Sequence, residues 1–160
     1  MPRFVKALHL IGVVMFFGSI LGHVTVGFVP GAKDDPQTAL VAREAIGVAT
    51  TYLTMPGLLL LLLTGIFVIV KGKLPIFKTR WLTLHVLFGL LIALNAAFIL
   101  YPTGQELLQV ASQVATGALP MEQLHAIEGR EAVFGAANML LCLIMVFIAV
   151  IKPRIGKATP

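Results

Sequence analysis

Four apolar stretches in this 160-residue chain, approximately Phe4 to Val29, Thr51 to Val70, Trp81 to Tyr101 and Ala132 to Ile151, are each long enough to cross a bilayer core, which takes about 20 helical residues. A backbone in lipid must satisfy its own hydrogen bonds, so spans of this kind are helices. The expected fold is all-α, an integral membrane antiparallel four-helix bundle with residues 1–160 as a single membrane domain. Composition excludes the soluble alternatives. Charged residues make up 12% of the chain and hydrophobic ones 58%, against roughly 25% charged in a soluble domain, so soluble enzymes and disordered tails are both ruled out. The first stretch is longer than the ~7–15 apolar residues of a signal peptide, and no small-x-small cleavage site closes it, which makes it a retained span.

Charge settles the expected orientation. The N-terminus (Arg3, Lys6), the second connection (Lys71, Lys73, Lys78, Arg80) and the C-terminal tail (Lys152, Arg154, Lys157) hold nine of the twelve basic residues, and no acid. All seven acids, Asp34, Asp35, Glu44, Glu106, Glu122, Glu128 and Glu131, fall in the other two connections. The Lys/Arg bias places both termini in the cytoplasm, with Trp81 and Tyr101 at interfacial positions. The net charge of +5 therefore reports topology and lipid headgroups, and no nucleic-acid partner is expected. Cys142, the single cysteine, excludes an intramolecular disulfide and a multi-cysteine metal site.

The connections contain turn and helix signals without strand patterns. Pro30-Gly31 and Lys33-Asp34-Asp35-Pro36 form a turn cluster, and Ala39 to Val48 predicts a helical lead-in to span two. Pro56 interrupts that span's hydrogen-bond ladder at the Tyr52 carbonyl and predicts a kink. Thr103 to Glu106 has the form of a capping box, and Leu107, Ala111, Val114 and Ala118 follow at helical spacing. Together they predict a short amphipathic surface helix between spans three and four, either on the membrane or packed on the bundle. Pro120 predicts the start of a fourth helix that projects beyond the membrane before entering it near Ala132.

Ionisable residues within apolar runs are the candidate functional groups, because burial there is costly without a partner or a use. His9 lies three residues past Lys6 and His85 five past Arg80, about 5–8 Å into the core at 1.5 Å per residue. Two imidazoles at equal depth on two helices are what six-coordinate haem iron requires. Gly12 beside His9, and Gly89, Ala93 and Ala97 at four-residue steps from His85, would give a flat macrocycle room. Lys6 and Arg80 stand where propionates would lie. The competing explanation is that membrane histidines bond a neighbouring helix and that small residues only pack helices, as expected for Gly18-x-x-x-Gly22. Asn95 and Asn138 are expected to bond between helices, and Cys142 to be a small buried side chain.

His23 follows His9 by fourteen residues. Those residues rise about 21 Å and fall about 40° short of four turns, so both imidazoles share a face near opposite membrane surfaces. This spacing resembles the respiratory cytochromes b, where two haems carry electrons across the membrane. Here a second haem would pair His23 with His125, with Arg43 and Arg130 available for propionates. The competing reading of His125 is a solvated helix residue. Glu122-x-x-His125 also has di-metal carboxylate spacing, in a single copy.

Lys6-Ala7-Leu8-His9-Leu10-Ile11-Gly12-Val13-Val14, Met55-Pro56 and Trp81-Leu82-x-x-His85 resemble the HemJ-type protoporphyrinogen oxidases and a related group of four-span bacterial membrane proteins. The resemblance covers roughly residues 4 to 100. In the HemJ-type family a first-helix histidine and a lysine in a Trp-Leu-His-x-Lys run are associated with b haem. His9 matches the first, and His85 stands where that lysine would be. The family's Arg-Leu-x-x-x-His stretch after the first span is absent. The resemblance implies a bacterial inner membrane location and haem b, and puts the porphyrinogen-oxidising activity itself in question.

Three function classes follow. The first is a b-type haem-binding membrane redox protein with one haem or two, an electron carrier or an oxidoreductase acting on a quinone or porphyrinogen, alone, as a homo-oligomer or in a larger membrane complex. The second is a haem-free accessory subunit whose histidines tie helices together. The third, a small transporter, has least support, since spans two and four carry no intramembrane charge.

Overall fold

The computed structural model describes residues 3–152; Arg154 and Lys157, used above for orientation, lie outside the described residues. Among those residues the chain is helical without strands. Helices α1 (Arg3–Val26), α2 (Pro36–Ala49), α3 (Met55–Gly72), α4 (Arg80–Asn95), α5 (Tyr101–Ala115) and α6 (Met121–Ile151) follow in order. Helix α2 runs into α3, and α4 into α5, so four continuous helices are long and apolar enough to cross a membrane.

Two prolines explain the joints. Pro56 and Pro102 have no N–H to give the carbonyl four residues back. Ahead of each, one wide turn of π-helix absorbs the mismatch, at Thr50–Thr54 and at Ala96–Leu100. The Met55 N–H returns to the Thr50 carbonyl and the Tyr101 N–H to that of Ala96, both five residues back. The break expected at Pro56 is therefore a π segment, and an equivalent one precedes Pro102. This corrects the capping-box expectation at Thr103, which is buried inside a helix that never stopped. A helix start does occur at Asp35, whose carboxylate accepts from the Thr38 N–H at 2.8 Å and the Thr38 hydroxyl at 2.6 Å.

The continuous helices, 37 and 36 residues long, run about 55 Å and exceed a ~30 Å hydrocarbon core. The excess forms a helical cap at the end bearing the acidic connections. There Ala39, Leu107, Ala111, Val114 and Leu124 make a buried core between α2, α5 and α6. The amphipathic helix between spans three and four is thus present as α5, with its apolar face covered by protein.

Within the spans, α1 packs on α3 and α4 on α6. A Cβ on Gly57 would lie 2.7 Å from the Phe16 nitrogen and one on Gly12 3.0 Å from Leu61 Cγ, so these two glycines set the α1–α3 approach. Gly18 and Gly22, expected to pack helices, are instead open: a Cβ on either would meet nothing within 4 Å. A second buried core gathers Phe16, Leu58, Ile92, Ala93, Ala96 and Cys142. Asn95 donates to Asn138 Oδ1 at 3.1 Å and to the Phe134 carbonyl at 3.0 Å, the interhelical role expected for both asparagines. Large apolar side chains cover the outside, among them Val14, Phe98 and Val150, each more than 70% exposed. Such a surface is suited to lipid.

Candidate functional site

Two polar regions interrupt the apolar bundle. The first lies toward the basic end, where His9 of α1 meets Thr64 of α3 and His85 stands on α4. His9 Nδ1 is 2.8 Å from Thr64 Oγ1. The Thr64 hydroxyl gives its proton to the Leu60 carbonyl at 2.6 Å, so it accepts from His9, and Nδ1 carries the ring proton. That tautomer leaves the lone pair on Nε2, the arrangement by which a supporting hydrogen bond orients a metal-binding histidine. His85 has its Nδ1 buried without a partner. An orphaned buried nitrogen is rare and calls for a ligand or a use. Lys6 and Arg80 stand exposed on the same end of α1 and α4.

Of the two glycines assigned to haem packing, Gly12 packs tightly between helices and Gly89 has an ordinary contact with α6. Gly12 is closed against Gly57 and Leu61, and a Cβ on Gly89 would face Met145 of α6. Nor do Gly89, Ala93 and Ala97 form one smooth stripe. Ala93 is in the buried core while Ala97 is exposed, because the π segment beginning at Ala96 shifts the register by one residue per turn.

The second region is a cavity of about 330 Å³ toward the acidic end, lined by His23, Arg43, Thr50, Gln105, Glu131 and Asn138 among apolar side chains. His23 Nε2 is buried there without a partner. Arg43 donates to Glu128 at 2.8 Å and to Glu131 at 2.5 Å. His125 is outside this lining, exposed, with Nε2 donating to the Lys33 carbonyl at 2.9 Å. Of the four histidines, then, His9 is bonded to Thr64, His23 lines the cavity, and His125 is outside that lining and bonded to Lys33. Arg43 and Arg130, expected to be free for propionates, are both paired, Arg130 with Glu106. Among the described residues no three His, Cys, Asp or Glu side chains gather as a metal site, and Glu122 is simply exposed.

Sequence reasoning misses Thr64, Gln105 and the Arg43 cluster. Thr64 has a usable signal, a hydroxyl directly after the run Leu58 to Leu63. Pro102 repeats the π-proline relation of Pro56 and is equally readable.

No curated protein and no solved structure matches the chain. A family model described as a predicted integral membrane protein, DUF2269, matches residues 3–153, nearly the whole chain. This family match agrees with the four spans without assigning the chain to the HemJ-type enzymes. The chain belongs to the DUF2269 family of integral membrane proteins.

Proposed function

We propose that the protein is a b-type haem-binding membrane redox protein, with one haem held between His9 of α1 and His85 of α4. The observation carrying this reading is the Thr64 acceptor behind His9, which fixes the tautomer whose Nε2 can bind iron. His85 of α4 stands at the same end of the bundle, with its Nδ1 buried and without a hydrogen-bond partner. When bound, haem would supply one-electron chemistry; the chain would orient the imidazoles, exclude water with the surrounding apolar helices, and offer Lys6 to the propionates. The electron partner is a lipid-soluble molecule, a quinone or porphyrinogen, or a neighbouring subunit.

By the distribution of Lys and Arg, the basic end faces the cytoplasm of a bacterial inner membrane. Reporter fusions to either terminus should be active only as cytoplasmic reporters; periplasmic activity reverses the orientation.

A reduced-minus-oxidised visible spectrum of purified protein tests the haem. We expect a low-spin b spectrum that His85→Ala abolishes while the folded protein stays in the membrane. A full haem complement in that variant would remove the ligand assignment. The His9–Thr64 bond also suits a haem-free accessory subunit in which it ties α1 to α3; that reading expects no haem spectrum at all.

A further inference from the structure

We propose that the cavity toward the acidic end binds the head group of a lipid-soluble quinone. This rests on the reading that the protein acts on a lipid-soluble partner, and is independent of whether His9 and His85 hold haem.

The cavity is built where two helices leave α geometry. Thr50 and Thr54 of one π segment and Ala96 and Leu100 of the other line it, and π turns recur at functional sites. Its volume of about 330 Å³ suits a single small ring system, at the lower end of the ~300–1,000 Å³ typical of ligand sites.

Charge narrows the ligand class. Arg43 is engaged by Glu128 and Glu131, so the cluster has one more negative charge than positive. Phosphates, fatty acids and propionates are therefore disfavoured, and a neutral ligand fits. The polar groups lie among apolar walls contributed by Phe16, Ile20, Ile46 and Met139. His23 Nε2, buried and unpartnered, is the directing group. A ring nitrogen can donate to a quinone carbonyl in one tautomer and accept from a quinol hydroxyl in the other, which matches a ligand that exists in both forms.

Access is from the side. The α6 side of the lining includes Ala132, Gly135 and Ala136 beside Glu131, Asn138 and Met139, and both alanines are exposed. A Cβ on Gly135 or on Gly104 would meet nothing within 4 Å. Small residues here leave an opening toward lipid, the phase in which a quinone is dissolved.

The test is titration of full-length protein, in nanodiscs of phosphatidylcholine, with decylubiquinone. Wild type should bind it saturably, one per chain. Gly135→Leu, which fills the opening, and His23→Leu should each weaken binding by roughly tenfold or more, while His23→Gln keeps most of it. Should Gly135→Leu fail to fold, the His23 pair carries the comparison. Absence of saturable binding to wild type, equal affinity in His23→Leu, or displacement by added phosphatidylglycerol would overturn the proposal. Quinone binding by a wild type without haem absorbance would sink the haem reading alone, and a haem spectrum without quinone binding would sink this one alone.

Discussion

Thr64 Oγ1 accepts from His9 Nδ1 at 2.8 Å while giving its own proton to the Leu60 carbonyl, so a hydroxyl on α3 decides which nitrogen of a histidine on α1 keeps a lone pair. Thr64→Val preserves shape and removes the acceptor. Haem affinity should fall by about 10–100-fold, the usual effect of losing a supporting partner, whereas Thr64→Ser should retain it. Haem titration of apoprotein, compared across the two variants, checks this; equal losses in both would show that Thr64 acts by packing.

The Arg43 cluster joins α2 to α6 across the cap, with the Arg43 side chain 12% exposed. Arg43→Met would leave Glu128 and Glu131 facing each other and cost about 2 kcal/mol. Adding Glu128→Gln and Glu131→Gln should recover part of that loss by removing the repulsion. Thermal unfolding in detergent of the single and triple variants measures both steps.

Helix α1 approaches α3 at Gly57, where a Cβ would lie 2.7 Å from the Phe16 nitrogen and 2.9 Å from Met15 Cβ. Both contacts are with groups that have little freedom to move. Gly57→Ala should therefore destabilise the bundle by about 1–3 kcal/mol through overpacking. Gly65→Ala on the same helix meets nothing within 4 Å and should be neutral or stabilising, by up to about 1 kcal/mol. Matched losses in the two variants would argue against a tight α1–α3 contact.

Asp35, at the start of α2, is held below its ordinary value of 3.8 by hydrogen bonds from the Thr38 hydroxyl first and the Thr38 N–H second. Its folded-state affinity for protons is thus lower than in the unfolded chain. The stabilisation is complete above 3.8 and is lost as pH falls through the lower folded value. The unfolding temperature of wild type should drop relative to Asp35→Asn only below about pH 3.8. Parallel curves for the two proteins from neutral to acid pH would remove Asp35 from the acid response.

The spans, the all-helical class and the opposed basic and acidic ends follow from sequence alone, because apolar length and local charge are properties of contiguous residues. So does the start of the last helix after Pro120, where proline acts within one turn. Counting 1.5 Å per residue places His9 and His85 at similar distances along their helices from Lys6 and Arg80. What faces what does not follow from sequence alone. In a span that is apolar on every side, periodicity cannot separate the lipid face from the helix-facing one. Gly18 and Gly22 read as packing glycines and are open, while Gly12 and Gly57 do the packing. The π segments compound this, since one extra residue per turn rotates Ala97 out of the stripe that begins at His85. Only the tertiary structure could put Thr64 behind His9, draw Arg43 onto Glu128 and Glu131, and leave His23 in a cavity with His125 outside it. Those relations join side chains 55 to 88 residues apart in the cases of His9–Thr64 and Arg43–Glu131, and chain folding alone brings such positions into contact.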